Sequence, residues 1–206
     1  MDRLILATRN PAKLRELRAC LADVPLWLET PPGLPDVPEA GTTFEENALL
    51  KARAVAARYG TWALADDSGL EVDVLGGRPG VYSSRYGGPG ATDEERNALL
   101  LREMNGVPEE RRTARYRAVV AVATPDGSAW TFTGVCEGQI AREPRGAGGF
   151  GYDPIFCLPE RGQRMAELSP EEKNRISHRA QALRQARCFL RQLMAGEITG
   201  ITEDIP

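Results

Sequence analysis

The sequence predicts an α/β fold in which a mixed, strongly twisted central sheet is flanked by helices and split into two lobes with a cleft between them. Three observations carry this reading. The chain opens as strand, turn and helix; its middle holds two long strand-like runs joined by a tight turn; and helical stretches with readable caps separate the other apolar segments. A length of 206 residues suits a single domain, expected over 1–196 with a loosely held tail at 197–206, because a chain of this size buries roughly 70% of its unfolded surface.

Leu4 to Ala7 read as a buried strand. Asn10 then offers an N-cap and Pro11 a first helical position, with Leu14, Leu17 and Leu21 on one face of the helix that follows. Leu26 to Glu29 form a second strand, and the proline-rich PPGLPDVPEAG is a loop. Thr43 with Glu46 makes a capping box for a helix that ends at Tyr59, before Gly60. Trp62 to Ala65 is a strand running into Asp66, Asp67, Ser68 and Gly69. After the loop GGRPGVYSSRYGGPG, Thr92 with Glu95 caps a helix to Met104. Ala114 to Ala123 and Ala129 to Ile140 form an antiparallel hairpin about Pro125, Asp126 and Gly127. Past the loop PRGAGGFGYDP, Ile155 to Leu158 make a short strand, Ser169 with Glu172 opens a short helix, and Ser177 starts a long amphipathic one reaching about Met194.

Composition removes several function classes. A formal net charge of -3 argues against a protein that coats nucleic acid, while leaving room for a local basic pocket. Cys20, Cys136, Cys157 and Cys188 form no CxxC pair and His178 is the only histidine, so neither a zinc site nor a disulfide framework can be written. The thiols are expected reduced and mostly in the core. No apolar run reaches about 18 residues and the start lacks a signal-peptide pattern, so a cytoplasmic protein with no membrane partner is expected. Of 26 basic residues only Lys13, Lys51 and Lys173 are lysines. A compact ammonium on a flexible stem suits a tight anion pocket better than the wide arginine fork.

All three lysines fall in segments that could carry chemistry. TRNPAK places Thr8, Asn10 and Lys13 where a strand meets a helix N-terminus, a setting that favours an anion, although a plain cap and a solvated charge explain it as well. GTTFEENALLKA puts Asn47 and Lys51 four residues apart on one helical face, with Glu39 upstream; a wet helix face is the ordinary alternative. Asp66 and Asp67, followed by Ser68 and Gly69, point to a metal site or a general base. Because side chains alternate along a strand, both acids reach one cleft only if the chain bends there, and Gly69 makes that bend cheap. Magnesium, held by one or two carboxylates plus phosphate oxygens and water, fits Glu39 with one of these aspartates. GAGGFG at 146–151 matches GxGxxG but leads into an extended segment, not a helix, and so is not a dinucleotide fingerprint. Phe150 within it offers a plate for a base, with stacking worth about 1–3 kcal/mol, although a loop aromatic folded into the core explains it equally well. In EEKNRISHR, Lys173, His178 and Arg179 cluster at a helix start whose donors suit a purine 6-oxo group, although a histidine beside an arginine is more often a surface pair.

Together TRNPAK, TFEENALLKA, ADDSGLEVDVLGGRPGVYSSRY, GGFGYDPIF and EEKNRISHR resemble the inosine triphosphate pyrophosphatase family, the Ham1-like non-canonical purine NTP pyrophosphatases, in order over nearly the whole chain. The resemblance implies a homodimer that binds a purine nucleoside triphosphate in its interlobe cleft. It also implies hydrolysis of ITP, dITP and XTP to the monophosphate and pyrophosphate, which cleanses the nucleotide pool. By position it assigns Thr8, Asn10, Lys13 and Lys51 to the phosphates, and Glu39 and Asp67 to Mg2+. Asp67 is the implied base and Asp66 a supporting acid at the metal. It assigns Phe150 to stacking on the base, Asp153 and Lys173 to the nucleoside pocket, and His178 with Arg179 to the 6-oxo edge; Asn47, Ser68, Gly151 and Tyr152 complete the expected substrate contacts. Arg9 stands where a small residue is common in relatives, a minor departure that either adds charge or points outward. A Maf-type pyrophosphatase and a non-catalytic nucleotide sensor are the rivals; the ISHR and FGYDP segments speak against the first and the Asp66, Asp67 pair against the second.

Overall fold

The computed structural model describes residues 2–197, so the expected tail lies, beyond Glu197, outside the described residues. In chain order the elements are β1 (Arg3–Leu6), α1 (Pro11–Cys20), β2 (Trp27–Glu29), α2 (Phe44–Tyr59), β3 (Trp62–Val72), α3 (Asp93–Glu103), β4 (Thr113–Ala123), β5 (Ala129–Ile140), β6 (Phe156–Leu158), β7 (Gln163–Arg164), α4 (Pro170–Ile176) and α5 (His178–Met194), with short 3-10 turns between some of them. One mixed sheet runs β2-β1-β3-β4-β5-β6-β7, parallel from β2 to β3 and antiparallel beyond.

Helix starts follow from their caps. The Asn10 side chain accepts from the N–H groups of Ala12 and Lys13, and Thr43, Thr92 and Ser169 each form a capping box with the glutamate three residues on. Side-chain alternation along the strands then sorts the core. On one face Leu4, Leu6, Leu64, Val120 and Val122 pack under α1 and α5; on the other Ile5, Ala63, Ala65, Val119 and Ala121 pack under α2. Beyond these, the far ends of β3, β4 and β5 reach into a second lobe, where Leu70, Tyr116 and Ile140 meet Leu100 of α3 and Phe156 of β6. Packing on the sheet is close: a Cβ on Gly134 of β5 would fall 2.0 Å from the carbonyl oxygen of His178, so the first turn of α5 rests where a side chain is absent.

One expectation fails in an informative way. The strand does not give way to a bend at Asp66; β3 continues to Val72 in unbroken register with β4, from Ala63 opposite Ala123 to Val72 opposite Ala114. Composition alone makes DDSG look like a turn, yet β4 supplies a ladder partner for each residue and buried cations satisfy the acids. Asp66 and Asp67 therefore project from opposite faces of the sheet. Gly69 serves another purpose: a Cβ there would lie 2.5 Å from both Gly80 O and Ser83 Oγ, so the glycine admits the 3-10 turn Gly80–Arg85 against the strand. The thiols differ too, since only Cys136 is buried while Cys20 and Cys157 are intermediate and Cys188 is exposed; all four are free. Among the described residues no helix is long and apolar enough to cross a membrane.

Candidate active site

β1 pairs with β3 only as far as Leu6 opposite Leu64, so β3 runs on past its neighbour and leaves one edge open. The turn from Thr8 to Lys13 passes beside that edge. Two cavities of about 510 and 280 Å3 follow it and share Asn10, Lys13, Glu39 and Ser84. Every residue assigned from the sequence lines one or the other except Asn47, which is buried; its side chain accepts from Gly41 N at 2.8 Å and donates to Gly41 O at 3.5 Å. Asn47 thus fixes the loop that carries Glu39. Arg9 turns the other way, donating to Leu34 O and pairing with Asp36 at 3.5 Å.

At one end Lys51 Nζ lies 2.6 Å from Glu39 Oε1 and 2.6 Å from Asp67 Oδ1, while Arg85 Nη1 takes Glu39 Oε2 at 3.0 Å. Glu39 from the proline-rich loop and Asp67 from β3 therefore converge on one point. Burial pushes the Asp67 carboxyl up, with Lys51 and Lys13 opposing it only in part. For Glu39 burial acts in the same sense but is outweighed by Lys51 and Arg85, which bring it down. Burial acts against the Lys51 charge, and its two carboxylates outweigh that and raise it. Desolvation wins at Asp67, then, and ion pairing wins at its partners.

Across the sheet Asp66 is occupied on both oxygens. Lys13 Nζ lies 2.5 Å from Oδ1 and Arg179 Nε 3.1 Å from Oδ2, and these cations outweigh burial to hold the carboxyl far below its ordinary range. Arg179 also donates to Glu16 at 2.5 Å and to Ser68 Oγ at 2.7 Å. Glu16 accepts from Lys173 at 3.0 Å as well. The sequence does not single out Glu16, although its position three residues after Lys13 on α1 puts both on one helical face.

At the far end Phe150 has Lys173 Nζ 4.6 Å and Arg179 Cζ 5.5 Å from its ring centre. Asp153 is clasped by Lys173 at 2.6 Å, Tyr116 OH at 3.1 Å and Phe150 N at 3.0 Å. His178 stacks on Tyr116 with ring centres 4.6 Å apart; burial first, and Arg179 second, drive its pKa well below 6.5, so the ring is neutral, and its Nδ1 has no partner among the described residues. The buried Tyr152 donates to Ser83 O at 2.9 Å. Helix α3 holds the loop from outside, Asp93 accepting from Gly151 N at 2.7 Å and Asn97 donating to Gly151 O at 3.1 Å. Neither residue carries a signal in the sequence, because each acts through the backbone of a loop far along the chain.

The donor set bears on the metal. Among the described residues no group of three or more His, Cys, Asp or Glu is placed to hold an ion. Two converging carboxylates do not fit zinc or a closed protein cage, but they fit a hard divalent cation whose remaining ligands are phosphate oxygens and water. Asp66 projects from the opposite sheet face and both its oxygens are taken by Lys13 and Arg179, although it lines the smaller cavity with Glu39 and Lys51.

A model of the Ham1 family matches residues 4–189. The dITP/XTP pyrophosphatase of Geobacillus kaustophilus is 54% identical over 187 residues, covering 89% of this chain and 91% of that protein. That of Thermus thermophilus is 54% identical over 88% of each chain. Among solved structures, a HAM1 protein from Coxiella burnetii superposes with a TM-score of 0.87 at 44% identity, covering 93% of this chain and 100% of that one. Family match, close relatives and shared architecture agree: the chain belongs to the Ham1 family.

Proposed function

We propose that this protein hydrolyses non-canonical purine nucleoside triphosphates (ITP, dITP and XTP) to the monophosphate and pyrophosphate, using Mg2+ held by Glu39 and Asp67, and so cleanses the nucleotide pool. The observation that carries the reading is the convergence of Glu39 and Asp67 at the cationic end of a cleft whose other end holds Phe150, His178 and Arg179. The relatives named as dITP/XTP pyrophosphatases, 54% identical to it, support the substrate class. A cytoplasmic homodimer belongs to the same reading and rests on the family resemblance.

In this scheme Thr8 and the side-chain amide N–H groups of Asn10 take phosphate oxygens, with Lys13 and Lys51 supplying charge; the first N–H groups of α1 are already held by the Asn10 cap. Bound Mg2+ would neutralise the phosphate chain and orient it, as hard cations do in phosphoryl transfer. Asp67 accepts a proton from the water that attacks the α-phosphorus in line, as pyrophosphate leaves from the opposite side. No covalent enzyme intermediate is needed. Phe150 stacks on the base. The donors of Arg179, His178 and the start of α5 face a 6-oxo acceptor; adenine presents an amino donor there, and each unsatisfied buried group costs about 1–3 kcal/mol.

The test is to incubate the protein with Mg2+ and ITP, dITP, XTP, GTP or ATP separately, resolving pyrophosphate from orthophosphate. Pyrophosphate from the first three, with little from ATP, is expected. Orthophosphate alone would show that a different bond is cut, and no turnover at all would leave a nucleotide-binding sensor.

A further inference from the structure

Lys51 sits oddly for a residue meant to hold phosphate. Its ammonium is within 2.6 Å of two carboxylates at once, which are the pair that a hard cation would need. Among the described residues no other cation holds those two oxygens. Lys13 is anchored on Asp66 across the sheet, and Arg85 takes the other oxygen of Glu39. Thus a single ammonium on a flexible four-carbon stem fills the position between Glu39 Oε1 and Asp67 Oδ1. On its other side Lys51 lines the smaller cavity with the donors Thr8, Asn10 and Lys13, alongside Asp66, whose charge Lys13 already answers. An ammonium placed there would meet an anionic ligand without any movement of α2.

We propose that Lys51 is an exchangeable counter-ion. Without nucleotide it closes on Glu39 and Asp67 and excludes a divalent metal; when the triphosphate enters, the ammonium transfers to phosphate oxygens and frees both carboxylates. The inference rests on the metal-dependent reading above and adds an order to it: the metal is bound with the nucleotide, not before it. Thermodynamic reciprocity then requires nucleotide and metal to tighten each other's binding.

The consequence runs against the usual expectation that deleting a phosphate-binding lysine only weakens a site. With Mn2+ as the probe, followed by the loss of free-ion signal in electron paramagnetic resonance, Lys51→Met without nucleotide should bind the ion at least tenfold more tightly than wild type. Lys51→Arg, which keeps the charge, should not. Adding Glu39→Gln to Lys51→Met should remove the gain. A non-hydrolysable ITP analogue should tighten Mn2+ binding more in wild type than in Lys51→Met. Far-UV circular dichroism and the thermal midpoint report folding, and Lys51→Gln carries the same test should the methionine variant fail to fold. Equal or weaker Mn2+ binding by the folded variant would overturn the exchange. Failure of the underlying metal reading looks different: Mn2+ binding, with or without the analogue, would then be indifferent to Glu39→Gln and Asp67→Asn, and the exchange would fall with it.

Discussion

Replacing Asp66 by asparagine tests the buried ion network that joins the two ends of the cleft. The Asp66 side chain is fully buried and its two oxygens hold Lys13 at 2.5 Å and Arg179 at 3.1 Å. Removing one partner of a buried ion pair costs about 3–5 kcal/mol. Here the loss is reduced because Arg179 keeps Glu16 and Ser68, Lys13 is part-exposed, and asparagine retains one acceptor, so about 2–4 kcal/mol is expected. For a domain of this size that corresponds to a fall in Tm of roughly 4–16 °C. The pH dependence fixes the sign. The folded-state pKa of Asp66 is depressed below its ordinary 3.8, so the stabilisation is complete above about pH 4 and is lost only as the pH falls through the lower folded value. Denaturant melts of wild type and Asp66→Asn between pH 8 and pH 3 should therefore stay separated by a constant gap down to about pH 5. A Tm change below about 2 °C at neutral pH, or a gap that closes between pH 6 and 5, would refute the reasoning.

Three further outcomes follow from particular contacts. Phe150→Ala should raise the KM for ITP by roughly 5- to 150-fold while leaving kcat within a few-fold, from about 1–3 kcal/mol of stacking; steady-state kinetics showing an unchanged KM would remove Phe150 from the base site. Gly134→Ala places a Cβ 2.0 Å from His178 O, so α5 must shift, and a loss of about 1–3 kcal/mol together with weaker ITP binding is expected by denaturant melt and equilibrium titration. His178, the only histidine, is neutral when folded but takes a proton near pH 6.5 when unfolded. Its contribution to stability is thus present above about pH 6.5 and falls by about 1.4 kcal/mol per pH unit below it. The stability difference between wild type and His178→Gln should narrow or reverse with that slope from pH 6 to pH 5, and a difference independent of pH would contradict a buried neutral ring.

Much of the fold is legible in the sequence because its signals are local. Asn10, Thr43, Thr92 and Ser169 announce their helices by side-chain chemistry that acts within three residues, and the hairpin from Thr113 to Ile140 announces itself by β-rich runs about a Pro-Asp-Gly turn. The course of β3 is not legible. Asp66 to Gly69 have turn composition, and what keeps them extended is non-local: pairing with β4 some fifty positions away in sequence, buried cations from α1 and α5, and a 3-10 turn pressed against Gly69. The strand β7, two residues long, pairs only with β6 and has no periodicity to read. For the site the same division holds. Residues whose own side chains face the cleft can be picked out by type and spacing, whereas Glu16, Asp93 and Asn97 act through a charge or a loop that only the folded chain brings near. Asn47 shares a helix face with Lys51, but its shorter side chain stops at Gly41 while the lysine reaches Asp67.

The ion pairs of the cleft also bear on why binding and hydrolysis should share a cation. Lys13, Lys51, Lys173 and Arg179 are each already engaged by carboxylates, namely Glu16, Glu39, Asp66, Asp67 and Asp153. A triphosphate entering such a site finds these four cations already matched, and in partly buried surroundings of reduced dielectric its own charge is costly to leave unmatched. A protein that only bound nucleotide would gain by losing Glu39 and Asp67, since Lys51 would then be free for phosphate. Retaining both acids beside the phosphate end makes physical sense if a divalent cation arrives with the nucleotide, takes over the two carboxylates and leaves Asp67 next to the water it must deprotonate. The open edge of β3 is what permits this. Because β1 stops at Leu6, β3 is uncovered where it presents Asp67 to one face, beside Lys51 and Glu39, and Asp66 to the other, where a single carboxylate holds both Lys13 and Arg179.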